Sequence, residues 1–203
     1  MDNGVVQLIE TWFAEHDNDG DFASGISTLP YSVIGPTIDG GRVIFATKQR
    51  VVSTIVDERK VSDEFGMIAR YGLPGETDLH WIRKLIGPRE LLFLGDMDPV
   101  DLMVFAWLRA RLRPKHVIHI GVNDALLAAL RISSTKTLSI PCGPSEQQSL
   151  ALLKKVLPDL RKTVGTNCAQ MLERGAKIEL DGIGRDRKHR VAIARVVGAM
   201  CKE

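Results

Sequence analysis

Short apolar runs alternate with amphipathic segments along most of this chain. Four runs, at residues 42–47, 67–71, 91–94 and 117–121, consist mainly of apolar residues. Continuous apolar runs of this length are typical of strands that are covered on both faces of a parallel sheet. The segments between them carry apolar residues at helical spacing. The pattern therefore predicts an α/β fold, with a doubly wound parallel sheet of about four strands flanked by helices.

Helical spacing and capping residues locate the predicted helices. The first covers residues 5–16, with Val5, Leu8, Ile9, Trp12 and Phe13 on its buried face. The next two run from Thr77 or Asp78 to about Leu85 and from Pro99 to about Leu112. A short helix is capped by Asn123 or Asp124, and two further helices are separated at Pro158. Ser145 followed by Gln148 predicts a capping box before the last two. Residues 23–41 are rich in turn-forming residues and predict irregular structure or short edge strands. Residues 48–60 mix helical spacing with β-branched residues, so their type stays open.

The apolar run at residues 91–94 leads directly into a glycine and two aspartates, Asp96 and Asp98. The two aspartates are two positions apart, so in an extended backbone their side chains point the same way. Two carboxylates about 4 Å apart repel by roughly 1 kcal/mol in water and roughly 4 kcal/mol at an effective dielectric of 20. A fold that holds this pair must supply a cation, a positive side chain or a proton. Because ligands of parallel sheets bind beyond the carboxyl ends of strands, this turn is the main candidate site.

The same residues have a second interpretation as a helix start. Asp98 followed by Pro99 is typical of an N-cap and the first helical position. Asp101 would then lie in the first turn, where negative charge suits the helix dipole. Capping does not account for Asp96, and the two interpretations are compatible at a strand end.

The composition is that of an ordinary globular protein. The chain has 203 residues, of which 44% are hydrophobic and 26% charged, enough for one good-sized domain. The formal net charge of +2 is too small to indicate a nucleic-acid partner by itself. We expect no membrane partner, because no apolar run could span a bilayer and the first residues lack a signal pattern. Three scattered cysteines are typical of a reducing compartment, so the expected localisation is cytoplasmic.

A basic cluster near the C-terminus is a candidate contact for nucleic acid. Arg185, Arg187, Lys188 and Arg190 lie close together in sequence and could follow a phosphate backbone. The alternative is a solvated face, since aromatic stacking partners are missing from this stretch. No glycine-rich dinucleotide fingerprint or P-loop accompanies any predicted strand, so a nucleotide cofactor is poorly supported. His119 falls in a predicted buried strand and is interpreted as a packing residue rather than a ligand.

The acidic turn and its surroundings resemble the Toprim domain, in particular that of the topoisomerase VI A subunit and the related meiotic double-strand-break protein. The Leu-Gly-Asp-Met-Asp-Pro segment at residues 94–99 resembles the Asp-x-Asp element of the family. Residues 72–75 and the helix after them resemble the glycine-rich turn and helix that precede this element. Residues 116–121 resemble the next strand, and residues 160–179 resemble a late helix with its Leu-Glu-x-Gly turn. The resemblance covers residues 42–181.

The resemblance implies a Toprim-like, Rossmann-like domain with a divalent metal site. Asp96 and Asp98 would hold Mg²⁺ weakly, and Lys48 and Asp101 would line the same site. The implied organisation is an N-terminal helix and irregular entry segment at residues 1–41, a Toprim-like domain at residues 42–181, and a basic C-terminal tail or helix at residues 182–203.

Two departures from the family pattern bear on activity. Toprim domains carry a glutamate at the end of their first strand, where this chain has Ala46 or Thr47, followed by the basic Lys48. The family's cleaving tyrosine belongs to a winged-helix domain for which this chain has no room, and its own two tyrosines, Tyr31 and Tyr71, are interpreted as packing residues. The site is therefore expected to be degenerate, unless Asp39, Asp57 or a partner chain supplies the missing acid.

Three functions remain open from the sequence. The first is a degenerate Toprim-like module that binds nucleic acid, with or without a metal, in a topoisomerase-like or DNA-processing system. The second is a metal-dependent Toprim nuclease, active alone or with a partner chain that supplies a winged-helix or ATPase function. The third is a non-catalytic assembly or interaction protein. Outside the Toprim resemblance, an unrelated α/β enzyme whose site the sequence does not reveal also stays open. Whether the chain is an enzyme depends on whether another acid replaces the missing glutamate.

Overall fold

The computed structural model describes residues 3–16, 32–34, 42–48, 50–52, 66–70, 72–112, 117–132, 136–185 and 187–200. The sequence predictions for Tyr31, Tyr71, Asp39 and Asp57, and most of those for residues 23–41 and 48–60, lie outside these residues. Among the described residues, no helix is both long enough and apolar enough to cross a membrane.

A five-stranded sheet forms the centre of the fold. Its strands are β1 (Ser32–Ile34), β2 (Val43–Ala46), β3 (Gly66–Ala69), β4 (Leu91–Leu94) and β5 (Val117–His119), arranged in the order β1-β3-β2-β4-β5. The last four strands of this order are mutually parallel, and β1 pairs antiparallel with β3 at one edge. The predicted α/β fold with about four parallel strands is therefore confirmed, and β1 is one of the short edge strands expected before residue 42.

Burial explains why the central strands are continuous apolar runs. Every residue of β2, β3 and β4 is buried. Phe45 and Phe93 lie opposite each other on β2 and β4, with ring centroids 6.0 Å apart. A strand with helices on both of its faces cannot place polar side chains on either one, which removes the polar–apolar alternation of a half-exposed strand.

Nine helices lie wholly within the described part of the chain, and residues 50–52 are helical as well. They are α1 (Asn3–His16), α2 (Glu76–Ile86), α3 (Pro99–Arg111), α4 (Asp124–Ala129), α5 (Pro144–Val156), α6 (Leu160–Val164), α7 (Thr166–Glu173), α8 (Leu180–Ile183) and α9 (Arg187–Met200). Helix α3 is the most buried of the long helices, with ten buried residues from Pro99 to Leu108. Helix α1 packs against it, and Trp107 Nε1 donates a hydrogen bond of 2.9 Å to Glu10 Oε1.

Three local predictions were wrong. Leu8 is 47% exposed, and Val6 is buried with Ile9 and Trp12 instead. Helix α2 begins at Glu76 with Gly75 as its N-cap, and the Asp78 carboxylate accepts the Gly75 N–H at 2.9 Å. The third error concerns the start of α5, which borders the candidate site.

The N-cap of helix α5 lies two residues before the predicted N-cap, Ser145. Gly143 is its N-cap, Pro144 is its first residue, and the Glu146 side chain accepts the Gly143 N–H at 2.7 Å. Glu146 therefore closes the first turn, rather than the predicted pair of Ser145 and Gln148. A proline at the first helical position loses no hydrogen bond there, which fixes the start of the helix at Pro144.

A small second sheet connects the C-terminal part of the chain to the acidic turn. Strands β6 (Ser139–Pro141) and β7 (Ala176–Ile178) pair antiparallel. Ile178 also forms a bridge with Met97, whose N–H donates to the Ile178 carbonyl at 3.0 Å. The residues directly after β7 are thereby held against the turn that carries Asp96 and Asp98.

Candidate metal centre and adjoining basic surface

The acidic turn lies at the point where the sheet reverses its winding direction. From β2 the chain crosses to β3 on one side and then to β4 on the other side of β2. The carboxyl ends of β2 and β4 are therefore adjacent, and the crossovers that leave them run in opposite directions. Crevices at such switch points are the usual ligand sites of open parallel sheets. Lys48 follows β2 and Asp96 follows β4, so both side chains begin at this crevice.

Three aspartates form the centre. One carboxylate oxygen from each of Asp96, Asp98 and Asp101 lies within 4.8 Å of the others. The three residues are 0%, 7% and 5% exposed, respectively. Asp98 Oδ1 accepts the Asp101 N–H at 2.8 Å as the N-cap of α3, so the capping interpretation is confirmed. Capping and clustering occur together, because the first turn of α3 brings Asp101 back beside Asp96.

Backbone and hydroxyl donors hold two of these carboxylates in place. Asp101 Oδ2 accepts the Asp96 N–H at 2.8 Å and the Thr47 hydroxyl at 2.6 Å. Asp96 Oδ1 accepts the Leu180 N–H at 2.7 Å, across from the start of α8. Thr47 thus stands at the end of the first parallel strand as a hydrogen-bond donor, where the Toprim resemblance leads one to expect an acid.

Lys48 supplies the positive charge that the sequence requires at this site. Its ammonium forms an ion pair with Asp96 Oδ2. The Lys48 side chain is 22% exposed whereas that of Asp96 is fully buried, so the lysine reaches inward from the rim of the crevice. The structure places Lys48 and Asp101 beside Asp96 and Asp98.

Burial dominates the protonation equilibria of the cluster. Burial raises the pKa of Asp98 to about 7, with a further contribution from the charge of Asp96. The pKa of Asp101 lies well above its usual range for the same reasons. Burial also raises the pKa of Asp96, although Lys48 opposes the change. Burial lowers the pKa of Lys48, but Asp96, Glu179 and Asp101 together raise it by more, so the ammonium stays charged.

A cleft of about 350 Å³ opens over the centre. Its lining includes Lys48, Asp98 and Asp101 together with three charged residues from the C-terminal part of the chain: Glu146, Lys177 and Glu179. The Lys177 ammonium lies 2.6 Å from Glu146 Oε1 and 3.0 Å from Glu179 Oε1. With Asp96 beneath them, five carboxyl groups and two ammonium groups meet at this cleft.

Sequence reasoning missed Glu146, Lys177 and Glu179 as site residues. Glu146 comes from the first turn of α5, and the other two come from β7 and the residue after it. The available signal was the spacing of Lys177 and Glu179, which places both on one face of a short strand. The spacing does not indicate which other segment of the chain this face contacts.

The three carboxylates of the centre suit a hard divalent cation, but the Lys48 ammonium that pairs with Asp96 disfavours one. Carboxylate oxygens are the ligands that Mg²⁺ and Ca²⁺ prefer, and Mg²⁺ often takes only one or two from the protein. The Asp96–Asp98–Asp101 triad could therefore hold a metal ion. The ammonium of Lys48 already contacts Asp96, however, and would repel a metal bound beside it.

Of the predicted nucleic-acid residues, Arg185 precedes α9 and the other three lie in its first turn. Arg185 and Lys188 are exposed, Arg190 is partly buried, and the side chain of Arg187 lies outside the described part of the structure. Arg185 acts electrostatically on Glu179, at the edge of the cleft. Arg190 and the exposed Arg50 border a shallow depression beside α8. These four described residues, Arg50, Arg185, Lys188 and Arg190, are called the basic surface below.

The remaining candidate residues pack in the core. His119 is buried between Phe93 and Phe105, with ring centroids 5.8 and 5.3 Å away. Neither of its ring nitrogens has a hydrogen-bond partner among the described residues. Burial lowers the pKa of His119 to about 3, so it is neutral in the folded protein. Cys142 and Cys168 are buried free thiols.

No protein-family model matches the chain, and no curated protein matches it.

Proposed function

We propose that this protein is a degenerate Toprim-like module that binds nucleic acid in a topoisomerase-like or DNA-processing system. The observation that carries the proposal is Lys48, whose ammonium pairs with Asp96 after the strand where a Toprim domain carries its glutamate. The acidic centre is then compensated by the protein's own cation and does no phosphoryl chemistry. A partner chain with a winged-helix or ATPase function would supply the chemistry of such a system.

The positions of the charges support this assignment. The acidic turn follows a central parallel strand, as the Toprim resemblance requires. Of the basic surface, Arg185 is close enough to Glu179, which lines the cleft, to act on its charge. A phosphate backbone could thus contact the basic surface while passing the opening of the cleft. Such contacts are independent of sequence and release counterions from the nucleic acid.

Binding to nucleic acid should therefore weaken steeply with salt. The test is a fluorescence-anisotropy titration of labelled single- and double-stranded DNA and RNA at several salt concentrations. We expect sequence-independent binding at low salt, with the logarithm of the association constant falling linearly against the logarithm of the salt concentration. Absence of binding to all four probes at low salt, or affinity indifferent to salt, would contradict the proposal.

The buried triad favours a second candidate, a metal-dependent nuclease. Metal-assisted phosphoryl transfer needs the ion placed against the attacking and leaving oxygens, with a group that manages the proton. Thr47 cannot take the role of the missing glutamate, and Lys48 opposes metal binding. Among the described acids, Glu179 is a candidate to replace the missing glutamate, but its side chain forms an ion pair with Lys177.

We accordingly expect no cleavage of supercoiled plasmid by the purified chain with Mg²⁺ or Mn²⁺. Conversion to nicked or linear plasmid is read on an agarose gel, and Asp96→Ala is the control for contaminating nucleases. Robust cleavage that disappears in Asp96→Ala would establish the nuclease and reject the degenerate module.

A further inference from the structure

A groove at the end of α2 lies apart from the acidic centre. Its volume of about 590 Å³ is larger than that of the cleft over the aspartates, about 350 Å³. Trp81, Leu85 and Pro88 give the groove an apolar surface, and the buried Ile86 also lines it. Trp81 is partly exposed there. A partly exposed tryptophan in an apolar concavity is typical of a protein–protein contact.

Hydrogen bonds fix the backbone that shapes this groove. The Gly87 N–H donates to the Arg83 carbonyl at 3.0 Å and ends α2. The Arg89 N–H donates to the Ile86 carbonyl at 3.1 Å, and the Arg89 guanidinium donates to the carbonyls of Leu85 and Ile86. A groove whose shape is fixed before binding loses little conformational entropy when a partner docks.

The charges at the groove complement an acidic partner. Lys84 and Arg89 bring positive charge to its lining, and none of its described lining residues is acidic. Lys84 is exposed, and no described acid forms an ion pair with it. Complementary charges of this kind add selectivity and speed to an encounter, whereas the buried apolar contact adds most of the affinity.

The groove lies at the opposite end of β4 from the acidic turn. Arg89 comes two residues before β4, and Asp96 comes two residues after it. A strand rises about 3.3 Å per residue, so roughly 20 Å separates the two sites. A partner in the groove therefore leaves the cleft open, together with Glu179 and the adjacent Arg185. This separation favours a protein occupant over a nucleic acid that contacts the basic surface.

We propose that this groove docks a protein partner through one large apolar side chain flanked by acidic residues. The apolar side chain fills the space beside Trp81, Leu85 and Pro88, and a neighbouring carboxylate pairs with Lys84. The inference rests on the proposed function in one respect, since that function requires a partner chain. The groove gives this partner a contact surface that does not compete with nucleic acid.

The test selects peptides from a phage-displayed library of random dodecapeptides on the purified chain. The library is counter-selected on Lys84→Glu with Pro88→Glu, which changes two exposed positions of the groove. Peptides retained by wild type alone should combine a large apolar residue with neighbouring Asp or Glu. They should bind the double variant at least roughly tenfold more weakly, because attraction at the groove becomes repulsion. Lys154→Glu with Ala151→Glu makes the same change of charge on the exposed face of α5 and should bind as wild type does.

Acrylamide quenching of tryptophan fluorescence locates the bound peptide on the wild-type chain. Trp12 and Trp107 are only 7% and 1% exposed, so the quencher acts mainly on Trp81. A selected peptide that contains no tryptophan should protect Trp81, and quenching should fall nearly to that of a buried tryptophan.

Several results would overturn the inference. They are the selection of no peptide, retained peptides without acidic residues, and equal affinity for wild type and the double variant. Trp81 already protected in the free monomer would mean that another segment of the chain fills the groove, and protection that grows with protein concentration would mean that a second copy does. Protection by a single-stranded oligonucleotide and by no peptide would assign the groove to nucleic acid.

The docking inference and the proposed function fail separately. If the peptides bind as expected but no chain binds DNA, only the proposed function is rejected. If DNA binds with the expected salt dependence but no peptide is selected, only the docking surface is rejected.

Discussion

Replacing Gly121 with alanine is expected to destabilise the protein by about 3 kcal/mol. Gly121 lies just after β5, and a Cβ added there would be 2.2 Å from the Gly95 carbonyl oxygen and 2.6 Å from the Gly95 nitrogen. Both neighbours are backbone atoms, so a side-chain rotation cannot relieve the clash. The two chain segments would have to separate, which strains the hydrogen bond of 3.0 Å from the Val122 N–H to the Gly95 carbonyl.

The measurement is urea unfolding followed by circular dichroism, with Gly182→Ala as the matched control. Gly182 lies in α8, and nothing surrounds the position of its added Cβ within 4 Å. Alanine there should be neutral or slightly stabilising, because it restricts the unfolded chain. A Gly121→Ala variant as stable as Gly182→Ala would show that the acidic turn is not packed against the end of β5 as described.

His119→Leu is expected to be more stable than wild type, by an amount that grows as the pH falls. Neither nitrogen of His119 has a described partner, so the apolar residue removes a buried polar group at no loss of hydrogen bonds. The unfolded histidine takes up a proton near pH 6.5, whereas burial lowers the pKa of the folded one to about 3. Below pH 6.5 the unfolded state therefore binds more protons, and wild type loses stability relative to the variant.

Between pH 8 and pH 5, the difference in unfolding free energy should increase by about 2 kcal/mol. Asp98 acts in the opposite direction, because its folded pKa of about 7 lies above the unfolded value and acidification then favours the folded state. Because Asp98 is present in both proteins, its contribution cancels in the difference between their free energies of unfolding.

Urea unfolding at several pH values provides the test, with His80→Leu on the exposed face of α2 as the control for removing a histidine. A stability difference between His119→Leu and wild type that stays constant from pH 8 to pH 5 would mean that His119 is protonated in the folded protein.

The parallel sheet could be predicted because its strands are buried on both faces. Runs such as residues 91–94 are then continuous in hydrophobicity and short, which sets them apart from the helices. The start of α3 was equally accessible, since Asp98 and Pro99 carry local capping chemistry. These features depend on a few neighbouring residues, so a single sequence contains them.

The rest of the site depends on contacts between distant segments. Lys177 and Glu179 reach the cleft through β7, a three-residue strand whose pairing with β6 has no strong local pattern. The direction of Lys48 depends on where β2 ends, and a shift of one residue would turn its side chain to the opposite face. The sequence therefore predicts that Lys48 lies near the acids, but its ion pair with Asp96 could be identified only from the fold.

The most direct test of the account is the salt dependence of DNA binding after the basic surface is neutralised. A double variant, Arg185→Gln with Lys188→Gln, is compared with wild type and with Lys154→Gln plus Lys155→Gln, which removes equal charge from exposed positions on α5. Anisotropy titrations of a labelled duplex in EDTA should show weaker binding by the first variant only, with the slope of log affinity against log salt reduced in magnitude by about two. Equal affinities and equal slopes in all three proteins would contradict the assignment of the basic surface to nucleic acid.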